Sequence, residues 1–389
     1  MSGPPSTATT LDRGRRPRRI TVLLPVLGLI AVALCGLFLF GLATARVGVL
    51  AVGIGTLAAL VPVAVVVATF LWVDRWEPEP AKLLLLAFAW GACVAAIAAL
   101  LINSTAEAVG DLLLGSGQGS TFSAVVSAPI VEEALKGAFV LLVLWRRTSE
   151  FDGVVDGVVY AGFSAAGFAF MENIYYFGRA FADHGFGNGQ NAGVLAAFFL
   201  RGVLSPFTHP LFAVLTGIGI GVAAITASKV MRIVAPLGGY VAAVCLHALW
   251  NGAALIGGSK TFLTVYFLIM VPLFIGVFYL VVLQRRREQR IVAAALPKMV
   301  ANRWIAPSEV DLLASLPGRR DWRRQARRES GKRAAKAVGL YQASVTELAF
   351  LYRRGLRTED DRERQAELLA TLKAARAEAV RLAETARSG

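Results

Sequence analysis

The chain is 389 residues long, 56% hydrophobic and only 17% charged, with a mean hydropathy of +0.60 and a formal net charge of +14. This combination excludes a disordered chain and an ordinary soluble domain and marks a membrane protein. The charge sits in the two tails, five cations against one acid in residues 1–19 and 24 against 13 in residues 284–389; such flanks set topology and meet anionic lipid, and no nucleic acid is expected as a partner.

A helix crosses a ~30 Å hydrocarbon core in ~20 residues. Apolar runs of that length predict an all-α, polytopic membrane helical bundle of about eight spans, near 20–42, 48–73, 81–102, 123–145, 154–177, 204–226, 233–256 and 261–283. Ala43-Thr44-Ala45 resembles a signal-peptide cleavage site, but the first apolar run exceeds the ~7–15 residues of such a region, so it reads as a retained anchor. Residues 194–226 are too long for one span and contain Arg201, Pro206 and Pro210, so 194–202 reads as a surface helix or a re-entrant piece.

The cations Arg13 to Arg19, Arg75 with Lys82, Arg146 with Arg147, Lys229 with Arg232, and Arg285 to Arg290 fall on one side of an eight-span count. That side is cytoplasmic, which makes the chain a multi-pass protein of the cell membrane with both termini in the cytoplasm. Cys35, Cys93 and Cys245 lie in apolar spans without metal-ligand spacing and read as small core residues. Three regions follow: a basic N-terminus (1–19), a membrane domain (20–283) and a basic cytoplasmic helical tail (284–389), with capping boxes expected at Ser308–Asp311 and Thr358–Asp361. The tail reads either as a partner- or lipid-binding regulatory domain or as a solvated helical hairpin.

The spans contain groups that lipid does not tolerate unpaired. Span 4 carries Glu132, Glu133 and Lys136, and each charge at a helix centre costs ~2.5–3.5 kcal/mol on the insertion scale. Glu132 and Lys136 stand one turn apart and can pair, while Glu133 lies ~100° around the helix and can face another partner. Span 5 presents small residues at Gly162, Ala165, Ala166 and Gly167 for close helix approach, followed by Glu172 and Asn173. Span 6 holds His209 between Thr208 and Pro210, and span 7 places His247 and Asn251 on one face. Counted from the span ends opposite the cytoplasm at 1.5 Å per residue, Glu172 and His209 lie ~8 Å deep, and Glu132, Glu133 and His247 ~12–14 Å deep. Three carboxylates and two imidazoles in one layer suit water activation, with or without a bound zinc. They equally suit a proton relay in a transporter, or interhelical hydrogen bonding in a catalytically silent binding protein.

With these residues the chain resembles the PrsW family of intramembrane proteases, within the wider group of CAAX-type endopeptidases. The resemblance rests on Asp74-Arg75-Trp76-Glu77-Pro78-Glu79-Pro80, on Glu132-Glu133-x-x-Lys136, on Asp156-Gly157, on Phe168-x-x-x-Glu172-Asn173, on His209 and on His247-x-x-x-Asn251, and spans roughly residues 60–256. It implies a membrane-embedded endopeptidase in which Glu132 or Glu133 is the general base and Glu172, His209 and His247 complete the site. Lys136, Asn173 and Asn251 would be supporting residues, Asn251 serving the oxyanion or a histidine. Zinc is the metal such a set would take, with Glu172, His209 and His247 as candidate ligands, although wider-group members carry His where this chain has Glu172. No nucleotide or redox cofactor is expected. The family association is with membrane-anchored anti-sigma factors, cut first in regulated intramembrane proteolysis. Asp74, Glu77 and Glu79 read as a stiff, solvated connector held by Pro78 and Pro80, across the membrane from the site.

Overall fold

The computed structural model describes residues 18–76, 78–147, 151, 153–187, 193–355 and 359–388; Arg13, Arg15, Arg16, Glu77 and Thr358 lie outside them. Backbone polar groups in lipid must be satisfied within the chain, and the described residues form helices joined by short connections, with no strand. α1 (Arg18–Val47) and α2 (Val49–Val73) meet at Gly48, whose φ of +88° makes the sharp turn that a residue with a Cβ resists. There follow α3 (Ala81–Leu114), α4 (119–146), α5 (Val154–His184), a short α6 (194–204), α7 (Thr208–Ile225), α8 (Met231–Leu255) and α9 (Gly258–Ala301).

Among the described residues, seven helical stretches are long and apolar enough to cross a membrane. The eighth expected span corresponds to α4, whose Glu132, Glu133 and Lys136 make it too charged for an ordinary span. Its buried residues, these three included, show how it is accommodated: the charges turn inward, to partners on other helices.

α5 is the axle of the bundle, packed against α2, α3, α4, α6 and α7. Its small residues permit this, as the sequence suggests. A Cβ at Gly167 would collide with the Phe88 carbonyl of α3, so the two backbones touch there. Four helices contain a π-helical turn, at residues 90–95, 123–127, 199–204 and 266–270. Such turns re-aim the side chains around them and recur at functional sites; those at 123–127 and 199–204 flank the polar cluster.

The stretch 194–202 lies in a short helix of its own, as expected, ending at the Ser205-Pro206-Phe207 break that the prolines require. Several other expectations need correction. The last span does not stop near Leu283, because α9 runs without interruption through Arg285–Arg290 to Ala301. Helix formation there continues on good helix formers after the apolar stretch ends. The Ser308–Asp311 box is displaced: the chain enters a turn of 3₁₀ helix at Pro307, and Glu309 reaches back to accept from the Ala306 N–H at 2.8 Å. Cys245 is exposed on the bundle surface and so is not a core residue.

The largest correction concerns the connector after α2 and the tail. α10 (Leu316–Arg354, broken at Gly331) and α11 (Glu359–Ser388) fold back on the end of α9 around a core that includes Val292, Leu296, Met299, Tyr341, Leu348 and Leu372. The tail is therefore neither a bare hairpin nor fully solvated. Trp76 of the connector is 4% exposed and belongs to this same core, and the Arg319 guanidinium lies 5.0 Å over its ring. Burial pushes Arg319 down to about 10. On the bundle side, Glu79 accepts from the Tyr160 hydroxyl of α5 at 2.6 Å, and the Glu79 N–H donates to Asp74. The connector is thus a buried rivet between tail and bundle, where a solvated loop was expected.

Two outcomes follow from the rivet. Trp76→Ala should weaken tail docking by about 3–5 kcal/mol, the usual range for a large buried aromatic, and limited proteolysis should then release the tail while the bundle remains intact. Burial also pushes the Asp74 carboxyl up to about 7. A carboxyl whose pKa is raised on folding favours the folded state while protonated, so stability should fall as the pH rises from about 4 to 7. In Asp74→Asn, thermal unfolding in detergent should lose that component of its pH dependence.

Candidate active site

α4 enters the cluster through the π turn at 123–127, and Pro129 follows directly on that turn, at the start of the regular α-helical stretch Ala128–Arg146. From there Glu132, Glu133 and Lys136 project into the space bounded by α5, α7 and α8. The Lys136 Nζ donates to Glu133 Oε1 at 2.8 Å and Glu132 Oε2 at 3.4 Å, and lies 3.1 Å from His209 Nδ1 of α7. Its fourth side is closed by the Phe168 ring of α5, 4.3 Å from the ammonium. The expected Glu132–Lys136 pair therefore forms, and Glu133 finds its other partner in His247 of α8, whose Nδ1 is 2.9 Å from Glu133 Oε1.

Glu172 of α5 completes the set from the other side. Its Oε2 is 2.7 Å from His209 Nε2 and 2.6 Å from the Nη2 of Arg201. Arg201 also donates through Nε to Asn173 Oδ1 at 2.8 Å and stacks 4.0 Å over Tyr176. The five candidate groups of the sequence reading, spread over four helices, are thus joined in one network, and Lys136 and Asn173 are bonded into it. Asn251 is tied elsewhere: its Nδ2 donates to the Ala124 carbonyl at 2.8 Å, pinning α8 to the π turn that leads into α4.

Two participants escape sequence reasoning. Arg201 reads from the sequence as an interruption of an apolar run, although a lone arginine inside such a run itself signals a buried carboxylate partner. Asn103 of α3 donates to Glu132 Oε1 at 3.4 Å and accepts from the Ser127 hydroxyl at 2.9 Å. Arg201→Gln should leave Glu172 without its charge-assisted partner, at a cost of about 1.5–3 kcal/mol. Chemical unfolding in detergent should show this loss, and Arg201→Lys should recover part of it.

One cluster among the described residues has donors suitably close for a metal: single ligand atoms of Glu132, His209 and His247 lie within 4.8 Å of one another. Each imidazole is braced through its other nitrogen by a carboxylate, His247 by Glu133 and His209 by Glu172, the arrangement that fixes the tautomer and aim of metal-binding histidines. Glu172, a candidate ligand on sequence, lies outside this trio and bonds to His209 and Arg201. Beside the trio, Glu133 Oε2 is fully buried and has no hydrogen-bond partner. A buried carboxylate oxygen left unsatisfied is costly and is placed to accept from a water or substrate. The donor types and this orphaned acceptor fit a hydrolytic metal centre.

A cavity of about 310 Å³ reaches the cluster. Glu132, Phe168 and Glu172 form part of its wall, α1 contributes Leu39, Ala43 and Arg46, and α3 contributes Asn103 and Glu107. It exists because α1 rests on α2, on the 90–95 turn of α3 and on α5, yet scarcely meets the 96–114 half of α3.

A partly polar cavity reaching Glu132 and Glu172, with a buried histidine–carboxylate donor set beside it in a helical membrane bundle, is the kind of site a membrane-embedded hydrolase uses. Residues 79–277 match the model of the PrsW family of intramembrane metalloproteases, and the chain belongs to that family. It is similar to Protease PrsW of Bacillus subtilis, with 28% identity over 172 residues covering 44% of this chain and 70% of the relative. It is also similar to Protease PrsW of Geobacillus kaustophilus, with 27% identity over 172 residues covering 44% and 68%. No solved structure matches.

Proposed function

We propose that this protein is an endopeptidase that hydrolyses peptide bonds of membrane-anchored proteins near the extracytoplasmic face, with Glu133 as general base. The observation that carries this reading is the buried, unpartnered Glu133 Oε2 beside the Glu132, His209 and His247 donors. Those three residues would hold the metal ion, for which zinc suits the oxygen and nitrogen donors. Bound there, the metal would polarise a carbonyl and acidify a water.

The chain's own groups do the rest. Glu133 Oε1 is held by Lys136 and His247, which leaves Oε2 to take the proton of the attacking water and to return it to the departing amine. Glu172, anchored by Arg201 and Asn173, keeps His209 in a single orientation. Asn103 steadies Glu132 from the cavity side. The mixed lining of the cavity, apolar at Leu39, Ala43 and Phe168 and polar at Asn103, Glu132 and Glu172, suits an unwound stretch of a hydrophobic segment, whose exposed peptide groups need polar partners.

Both termini are assigned to the cytoplasm by the cation distribution. α5 runs from Val154 to His184, so at 1.5 Å per residue Glu172 lies ~18 Å from its His184 end and ~27 Å from its Val154 end, just on the outer side of its middle. The 1–19, 20–283 and 284–389 division is retained as the functional one, with α9 linking the last two. Membrane-anchored anti-sigma factors are the substrate class that the family association suggests, and the wider CAAX-type grouping is consistent with the carboxylate and histidine pattern. Sequencing of new membrane-protein N termini tests the reading: cuts that appear only with the active protein should fall in the outer third of substrate spans. If wild type and a chain-null strain give the same termini, the reading fails.

A further inference from the structure

Among the described residues, Lys136 is the one Lys or Arg paired with both Glu132 and Glu133, and it is completely buried. Its ammonium lies 3.4 Å from Glu132 Oε2 and 3.1 Å from His209 Nδ1, two of the three residues that would hold a metal. Nδ1 is also the nitrogen of His209 left over once Nε2 is engaged by Glu172, so it is the nitrogen such a metal would take. The ammonium therefore makes the contacts of a metal ion with these two residues, and its remaining side is closed by Phe168.

Charge balance leads to the same point. Glu132, Glu133 and Glu172 against Lys136 and Arg201, with both imidazoles neutral, leave the cluster at a formal −1. A divalent cation added to that set leaves an excess positive charge beside a buried ammonium, so the two cations are not both favoured against Glu132 and His209. Like charges a few ångströms apart in a buried site repel strongly.

We propose that the Lys136 ammonium and a divalent metal ion compete for one position, so that Lys136 is the site's resident cation and metal loads only as its ammonium gives up Glu132 and His209. This would make Lys136 a gatekeeper of metal occupancy. The inference rests on the metal-centre reading above.

The test is Co²⁺ binding to the full-length protein in detergent, followed by the visible d–d absorption of the ion and by metal content after desalting, for wild type, Lys136→Met, Lys136→Arg and the double variant Lys136→Met with His247→Ala. Lys136→Met should bind Co²⁺ at least tenfold more tightly than wild type, Lys136→Arg should bind no more tightly, and the double variant should lose the gain. If Lys136→Met is unstable because its two glutamates lose their cation, Zn²⁺ should restore its thermal stability far more than it raises that of wild type, and the double variant should not respond. Wild type binding Co²⁺ with an affinity that Lys136→Met does not improve would overturn the competition while leaving the metal centre standing. No binding by either protein, and no rescue by Zn²⁺, would overturn both.

Discussion

Glu133→Gln should reduce cleavage by at least ~10³-fold, within the range for loss of a general base, while the protein stays folded. The substitution keeps the shape of the side chain and a hydrogen-bonding oxygen for Lys136, but an amide cannot carry the water's proton. The measurement is the yield of protein-dependent new N termini at matched expression, with detergent monodispersity and melting temperature as the folding control. Glu132→Gln separates the two carboxylates. As a donor of the trio, Glu132 should lose activity together with metal, whereas Glu133→Gln should lose activity and keep metal. Full cleavage by a folded Glu133→Gln protein would sink the assignment of the base.

His247→Ala should be equally severe for a different reason. The imidazole is 2% exposed and bridges Glu133 to the donor trio, so its removal takes away a ligand and also frees Glu133 Oε1 from one of its two anchors. Activity should fall below detection and metal content should drop with it. Removing a large buried ring should also cost about 2–4 kcal/mol in unfolding experiments, by analogy with other large-to-small core substitutions. Metal content unchanged in a folded His247→Ala protein would remove this residue from the metal site. Activity retained at the wild-type level would remove it from the mechanism.

The sequence carried the composition of this site better than its wiring. Glu132 and Lys136 pair because helix geometry puts i and i+4 together, and that is readable from spacing alone. The shared depth of Glu132, Glu133, Glu172, His209 and His247 is readable too, because rise per residue converts position into height. Which of them meet is a matter of how α4, α5, α7 and α8 are rotated about their axes. Hydropathy is nearly blind to that rotation where every face of a helix is apolar. The pairings Glu133 to His247 and Glu172 to His209 therefore needed the structure, as did Arg201, which arrives from a separate helix on a π turn. The connector was misread for a related reason. Charged residues flanked by prolines look solvated when nothing in the local sequence tells of a partner more than 200 residues away, and Trp76 finds its neighbours in α9 to α11.

The cavity beside α1 has a kinetic consequence. Because it is walled by membrane helices and lies where α1 and the 96–114 half of α3 part company, a membrane-anchored substrate of the proposed protease would reach it by diffusing in two dimensions within the bilayer. The relevant concentration is then substrate per unit of lipid area, an effective concentration set by confinement and not by the volume of the cell or the test tube. Diluting proteoliposomes in buffer should leave the turnover of a co-reconstituted substrate unchanged, while adding lipid at fixed protein and substrate should slow it in proportion.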